Sequence, residues 1–412
     1  MTTGMPACRS CGTRSLVPVL DLGTMPLANA LLASPPPAGG EPRYPLELVF
    51  CPSCALVQIT ETVQPQTLFG HYPYFSSVSD SFLEHARRLS ERLRHDRGLT
   101  ASSLVVEVAS NDGYLLQYYR QQGVPVLGIE PAHNVADAAR ERGIPTIVAF
   151  FGHALARELR RKGMQADVLH AHNVLAHVAD LNGFVAGIAE VLRDEGLAVI
   201  EVPYVKDMID RCEFDTIYHE HLCYFSLTAV ARVLERAGLA VTSVERLAVH
   251  GGSLRLFVAR PGATDPSVAA LLAEERGWGV AESTFYRGFA HRVRQAQVAL
   301  RGLLLELRGA GRRLAGYGAA AKAATLLNSL ALPPGTIDFV VDKSPHKQGR
   351  FLPGVHIPIR PPEVLLAERP DYVLLLAWNL ADEILGQQAE YRRRGGRFIL
   401  PLPDPRVIES TP

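Results

Sequence analysis

Residues 213–226, EFDTIYHEHLCYFS, hold the densest chemistry in this 412-residue chain, with Tyr218, His219, Glu220, His221 and Tyr224 inside seven residues. An imidazole that titrates near neutral pH and is oriented by a carboxylate is suited to take a proton from a carbon beside a carbonyl, giving an enolate. Two other readings compete. His219 and His221 as metal ligands would need a third ligand or the H-E-x-x-H spacing, and neither is evident. A polar loop capping a sheet would carry the same residues without chemistry. The general base is preferred.

A second cluster is made of thiols. Cys8 and Cys11 lie in CRSCG, Cys51 and Cys54 in CPSCA, with 39 residues between the pairs. Four thiolates suit a tetrahedral, structural Zn²⁺ with no open position for catalysis, and the metal would hold together a segment lacking a helix-rich core. A redox C-x-x-C would need a βαβ setting, which LLASPPPAGGEPRYP does not offer. Cys212 and Cys223 are left over, and the pattern fits a reducing compartment.

These groups need positioning elements. A helix pattern from about residue 80 leads into SLVVEVASNDGYLLQYYRQQG, a buried strand, a small-residue turn and a helix, the junction at which open α/β sheets bind ligands. VPVLGIEP follows, with Glu130 at the strand end where a carboxylate takes both hydroxyls of a ribose. ADVLHAHNV and GLAVIEVPY read as further strands around the helix pattern LNGFVAGIAEVLRDEG. AVTSVERLAV and SLRLFVAR read as a closing antiparallel hairpin, typical of class I methyltransferases and unusual in dinucleotide dehydrogenases. The turn EVASNDG, Glu107 to Gly113, has Ala109, Ser110 and Asn111 where glycines are common, and it is not the dehydrogenase G-x-G-x-x-G.

Beyond residue 262 long helices precede a second Rossmann-like half: RRLAGYGAAAKAATLLNSL, DFVVD ending in Asp342, YVLLLAWN and RFILPLP. The turn at 316–322 presents backbone N–H groups and Lys322 at a helix N-terminus, a site suited to a diphosphate. Lys347 and Arg350 in KSPHKQGR are further phosphate candidates, or surface cations beside a structural turn.

Lys plus Arg total 42, as do Asp plus Glu, without long runs of either sign, so no nucleic-acid partner is expected. MTTGMPACRSCG lacks a leader pattern and no apolar run approaches a membrane span, so a cytoplasmic protein is expected. Oligomeric state is not set by the sequence; a monomer is compatible with it.

The run TIYHEHLCYFS, with CRSCG, YPYFSSVS at 72–79, EVASNDG, GIEPAHN and HGGSLR, closely resembles the sugar C-methyltransferase family, and the motifs recur in the family's order over nearly the whole chain. The resemblance implies an α/β protein of three parts: a zinc-binding domain (1–75), a class I Rossmann-like S-adenosylmethionine domain (76–262) and a C-terminal Rossmann-like nucleotide-sugar domain (263–412). It implies methylation at C3 of a dTDP-linked 4-keto-deoxysugar, as in the making of branched antibiotic sugars. His221 would be the base, with Glu220 and Tyr218 orienting it or stabilising the 4-oxyanion, and with Tyr72 and His177 assisting. Glu107, Ala109, Asn111, Asp112 and Gly113 would wrap the methionine end of the donor, where Ala109 leaves less room than glycine. Glu130 and Pro131 would take the ribose, and Phe151 and Asn173 the adenine side. Tyr72, Tyr74, His177, Tyr218, Tyr224, Ser253, Arg255, Lys322, Lys347 and Arg350 would contact the sugar nucleotide. An O- or N-methyltransferase, a nicotinamide-dependent sugar-nucleotide oxidoreductase and a non-catalytic zinc and nucleotide scaffold are the alternatives.

Overall fold

The computed structural model describes residues 6–36, 40–70 and 72–409; the first five residues, part of the stretch read above for a leader, lie outside them. Among the described residues, no helix is long and apolar enough to cross a membrane.

Strands β1 (Val17–Pro26), β2 (Arg43–Phe50) and β3 (Val57–Ile59) form an antiparallel meander. Its small core, with Leu46, Leu48, Phe50 and Leu56 buried, is flanked by the two cysteine turns. Each turn closes the same way: the N–H of Gly12 bonds the Cys8 carbonyl and that of Ala55 the Cys51 carbonyl. Both residues sit at positive φ, 75° and 63°, so one turn uses glycine and the other places alanine in the left-handed region at a cost of about 1 kcal/mol. The four Sγ atoms lie within 4.8 Å of one another, with Cys8–Cys54 and Cys11–Cys51 each at 3.5 Å. A tetrahedral zinc with bonds of about 2.3 Å requires S···S edges of about 3.8 Å, so the group fits that ion.

Next along the chain come β4 (Val105–Val108), β5 (Val126–Ile129), β6 (Thr146–Ile147), β7 (Ala166–His172), β8 (Leu192–Pro203), β9 (Cys223–Tyr224), β10 (Ala240–Leu247) and β11 (Ser253–Ala259). Seven of them form one sheet in the order β10-β11-β8-β7-β4-β5-β6, with β11 antiparallel to both neighbours. β4 and β5 are buried at every position, as central parallel strands covered on both faces must be. The closing hairpin is therefore present, and its antiparallel strand makes this the class I methyltransferase sheet.

Two local expectations change. LRDEG, read as the end of a helix, instead opens β8: the helix Leu181–Val191 stops and Leu192 pairs with Ala166 of β7. Gly196 permits the close approach of the two strands, since a Cβ there would stand 2.8 Å from the Ala166 carbonyl oxygen. β9, inside the YHEHLCYF run, leaves its own sheet and pairs with β3, Tyr224 opposite Val57. The chemical run is thus tied to the zinc-bearing sheet.

After helices Pro266–Trp278 and Phe289–Gly309, six strands close the chain: β12 (Leu314–Tyr317), β13 (Phe339–Val341), β14 (Ile359–Arg360), β15 (Tyr372–Leu375), β16 (Arg397–Leu400) and β17 (Arg406–Ile408). The order is β14-β13-β12-β15-β16-β17, parallel except for β17. The short edges β14 and β17 are additions to the four strands read from sequence. Gly318, at φ 98°, is required where β12 turns: a Cβ there would lie 2.6 Å from that of Ala377.

Candidate active site

A cavity of about 600 Å³ opens where β4, β5, β7 and β8 end, and residues that follow β12 and β15 of the C-terminal sheet close its far side. This is the carboxyl-edge position that the physics of parallel sheets favours for ligands.

At one end stand the residues expected around the methyl donor. Ala109, Asn111, Glu130, Pro131, Phe151 and Asn173 line the wall. Glu130 accepts the N–H of Asn111 and that of Ala132, both at 2.9 Å, and burial lifts its carboxyl to about 7 against those two bonds. A carboxylate has lone pairs beyond these two bonds, so a diol can still be taken. Asn173 sits at φ 52° with its Oδ1 buried and, among the described residues, without a hydrogen-bond partner, an acceptor awaiting a donor group. Phe151 is braced edge-on by Phe184 at 5.3 Å and offers an apolar face. These groups fit a nucleoside with a free amine and diol.

The rest of the turn does different work. Ala109 and Asn111 are both left-handed, φ 55° and 50°, so the chain adopts the glycine-like path without glycine. Glu107, Asp112 and Gly113 stand behind the wall. Burial lifts the Glu107 carboxyl, which Tyr114 hydrogen-bonds. Asp112 accepts from Ser77 and pairs with Arg142 at 3.0 Å. Gly113 gives room to Ile144, whose Cγ1 would be 2.8 Å from a Cβ.

The middle of the cavity holds the tyrosines and histidines. His221 Nδ1–H donates to the Thr216 carbonyl at 2.9 Å, which leaves Nε2 as the basic nitrogen; Tyr218 donates its hydroxyl to it at 2.7 Å. The two rings are 4.0 Å apart. His177 stands 4.7 Å from His221, and burial pushes its imidazole down to about 4, so it is neutral at pH 7. Tyr72, Tyr74 and Tyr224 complete this wall. Glu220 corrects one expectation: the hydrogen bonds of its carboxylate go to Asn29, at 2.8 and 2.9 Å, and to Tyr72, at 3.4 Å, while a backbone carbonyl orients His221. It lies behind Tyr72, and burial lifts it to about 7 against those bonds. His219 points away, its Nε2–H on the Pro45 carbonyl.

The far end comes from the C-terminal sheet. Lys322 reaches the wall, donates to Asn379 at 2.7 Å and lies 4.4 Å over the Trp378 ring. Burial raises Glu213 to about 8 and Asp215 to about 6, with Lys322 holding both down. The phosphate cradle is narrower than expected, because Asp342 accepts the Ala319 N–H at 2.7 Å. Lys347 is buried, not a surface cation, and donates to the Ala319 carbonyl at 3.0 Å while lining the cavity.

Three expected contacts lie elsewhere. Arg255 faces the helix Asp80–Asp96, where it bonds Glu201 at 2.7 Å, Glu245 at 3.0 Å and His85 at 2.9 Å, because β11 turns that side chain to the covered face of the sheet. Ser253 donates to the Val249 carbonyl. Arg350 is exposed outside the cavity lining. Conversely Asn29, Asn379, Glu213 and Thr216 were missed as site residues: Asn29 and Asn379 reach the site through long-range packing, whereas Glu213 and Thr216 lie inside the 213–226 run, where Thr216 serves through its backbone carbonyl, which no side-chain pattern marks.

Comparison with known proteins gives three family matches and one relative over nearly the whole chain. Residues 8–69 match a zinc binding domain family, 82–244 a methyltransferase domain family and 248–403 the C-methyltransferase C-terminal domain family. C-methyltransferase NovU of Streptomyces niveus is 40% identical over 407 residues, covering 98% of this chain and 97% of that protein. Among solved structures, magnesium protoporphyrin IX methyltransferase of Synechocystis PCC 6803 with bound S-adenosylmethionine overlaps 43% of this chain and 79% of its own, at 13% identity and a TM-score of 0.34. A protein of Pyrococcus horikoshii OT3 overlaps 49% of this chain and 100% of its own, at 14% identity and a TM-score of 0.38. The relation to NovU runs end to end and displaces the oxidoreductase, scaffold and O- or N-methyl alternatives. The chain belongs to the sugar C-methyltransferase family that its motifs resemble, and it is an S-adenosylmethionine-dependent C-methyltransferase with a four-cysteine zinc site.

Proposed function

We propose that the enzyme methylates C3 of a dTDP-linked 4-keto-deoxysugar. The observation that carries this reading is the His221 imidazole, fixed by the Thr216 carbonyl so that its basic Nε2 and the Tyr218 hydroxyl meet in the cavity wall. A carbon acceptor must first lose a proton, and a carbonyl beside that carbon makes the loss feasible within the reach of a histidine.

His221 Nε2 takes the C3 proton, and the electron pair of that C–H bond moves into the enolate, placing negative charge on the 4-oxygen. Tyr218, released from Nε2 as that nitrogen gains a proton, turns its hydroxyl to the developing oxyanion. Neutral His177 beside His221 adds no positive charge to oppose the imidazolium. Tyr72, with its hydroxyl on Glu220, borders the same space and lets Glu220 hold or yield a proton near neutral pH. When bound, the donor supplies an electrophilic methyl to C3. Glu130, Phe151 and Asn173 hold its nucleoside, with Ala109 and Asn111 along its amino-acid end. Lys322, with Lys347 behind it, takes the diphosphate of the acceptor.

His221→Asn tests the assignment. Its turnover should fall at least about 100-fold, the range for loss of a positioned base, with S-adenosylhomocysteine binding unchanged and with loss of deuterium uptake at C3 from heavy water. Near wild-type turnover would remove His221 as the base.

A further inference from the structure

Two asparagine side chains grip one short stretch of backbone in the same manner. Asn134 Oδ1 accepts the Tyr72 N–H at 3.0 Å and its Nδ2 donates to the Tyr72 carbonyl at 2.7 Å. Asn111 Oδ1 accepts the Ser76 N–H at 2.9 Å and its Nδ2 donates to the Tyr74 carbonyl at 3.0 Å. A side-chain amide carries one acceptor and one donor group side by side, so each asparagine stands in for a neighbouring strand. Residues 72–75 have no regular structure of their own and are followed by a short 3₁₀ turn, Ser76–Val78. Their path is therefore set by these four bonds and by Ser77 on Asp112.

The two asparagines come from the two loops that wall the donor end. Asn111 follows β4, and its own N–H is held by Glu130; Asn134 lies in the first turn of the helix His133–Glu141, just after Pro131. The stretch they grip carries Tyr72, whose hydroxyl reaches Glu220 on the acceptor side. The clasp engages both polar atoms of each amide, using one acceptor site and one donor hydrogen, and nothing in the proton chemistry above calls on Asn134.

We propose that Asn134, seconded by Asn111, is a positioning residue: it docks the 72–77 strap onto the donor loops, so that filling the donor site steadies Tyr72 in the acceptor wall. The effect on turnover rests on the function proposed above; the docking itself does not.

The test uses the full chain and S-adenosylhomocysteine as the donor-site probe. Hydrogen exchange of a peptide covering residues 72–77 is followed in the wild type, Asn134→Ala and Asn134→Asp, with and without the probe. In the wild type the probe should slow exchange of the strap. Asn134→Ala should speed it by roughly 10- to 30-fold, the loss of two ordinary hydrogen bonds, and erase the probe's effect. Asn134→Asp keeps the acceptor for the Tyr72 N–H and should fall between. The kcat of Asn134→Ala should drop by a similar factor, with no further drop when the change is made in Tyr72→Phe. Unchanged strap exchange in both variants, or an equal kcat loss in the Tyr72→Phe background, overturns the proposal. If the wild type fails to turn over any keto-sugar, the acceptor reading falls, while strap exchange still decides for or against the clasp.

Discussion

Glu220→Gln should make the protein more stable and less active, and the gain in stability should depend on pH. The carboxyl is 2% exposed and is lifted from 4.5 to about 7, burial outweighing the bonds from Asn29 and Tyr72. A displacement of that size corresponds to about 3 kcal/mol. The sign follows from which state holds the proton more tightly. The folded protein does, so the wild type has this contribution in full below pH 4.5 and loses it as pH rises toward 7; beyond that the buried carboxylate is ionised at the full cost. Glutamine cannot ionise. Its amide N–H₂ faces the Asn29 N–H₂, one imperfect contact worth about 1 kcal/mol, so the net gain at pH 8 should be about 2 kcal/mol. At pH 5 the two proteins should differ by little, or the variant should be slightly weaker. Denaturant midpoints at pH 5, 6, 7 and 8 give the difference directly. Turnover should fall at least about tenfold as the proton-holding group behind Tyr72 is lost. A stability difference that is flat across this range, or a variant less stable at pH 8, would refute the reasoning.

Glu130→Gln should weaken S-adenosylhomocysteine binding by about 10- to 100-fold, as loss of charged-acceptor bonds does, and wild-type affinity should rise with pH through about 7 as the carboxyl ionises; calorimetric titration at pH 6 and 8 checks both. Removing zinc with a chelator should cost turnover about 100-fold or more while donor affinity falls far less, because β9 and Tyr224 hang on the zinc-bearing sheet whereas the donor loops hang on β4 and β5. Full turnover from metal-free protein would contradict this. Lys322→Met should weaken binding of dTDP by about 10- to 100-fold, measured by titration, and unchanged affinity would move the diphosphate elsewhere.

The parts legible in the sequence are those that local chemistry dictates. The two C-x-x-C turns announce their ligand set through thiol spacing, and the alternation from β4 to β8 follows from apolar strands separated by amphipathic helices. The cavity-lining positions of Glu130, Asn173, His177, Tyr218, His221 and Lys322 all follow strand ends or turns visible in the chain. What escaped depends on contacts between residues far apart. The pairing of β9 with β3 joins residues 57 and 224, and Asn29 meets Glu220 across 191 positions. Arg255 was misplaced because a charged residue in HGGSLR looks like a contact until Glu201 and Glu245 are seen to neutralise it inside the fold. The orienting role expected of Glu220 fails for a related reason: it neighbours His221 in sequence, but its carboxylate accepts from Asn29 and Tyr72.

The most direct test of the account is one reaction. The protein is incubated with ¹³C-methyl S-adenosylmethionine and a dTDP-4-keto-deoxysugar in heavy water, and the product is examined by NMR. The account predicts a one-bond ¹³C–¹³C coupling between the new methyl and C3 in a carbon-labelled sugar, and, in a parallel incubation without the methyl donor, deuterium exchange at C3 of the unmethylated sugar that His221→Asn abolishes. A methyl found on oxygen or nitrogen, or at any carbon other than C3, including C5 on the other side of the keto group, would contradict it.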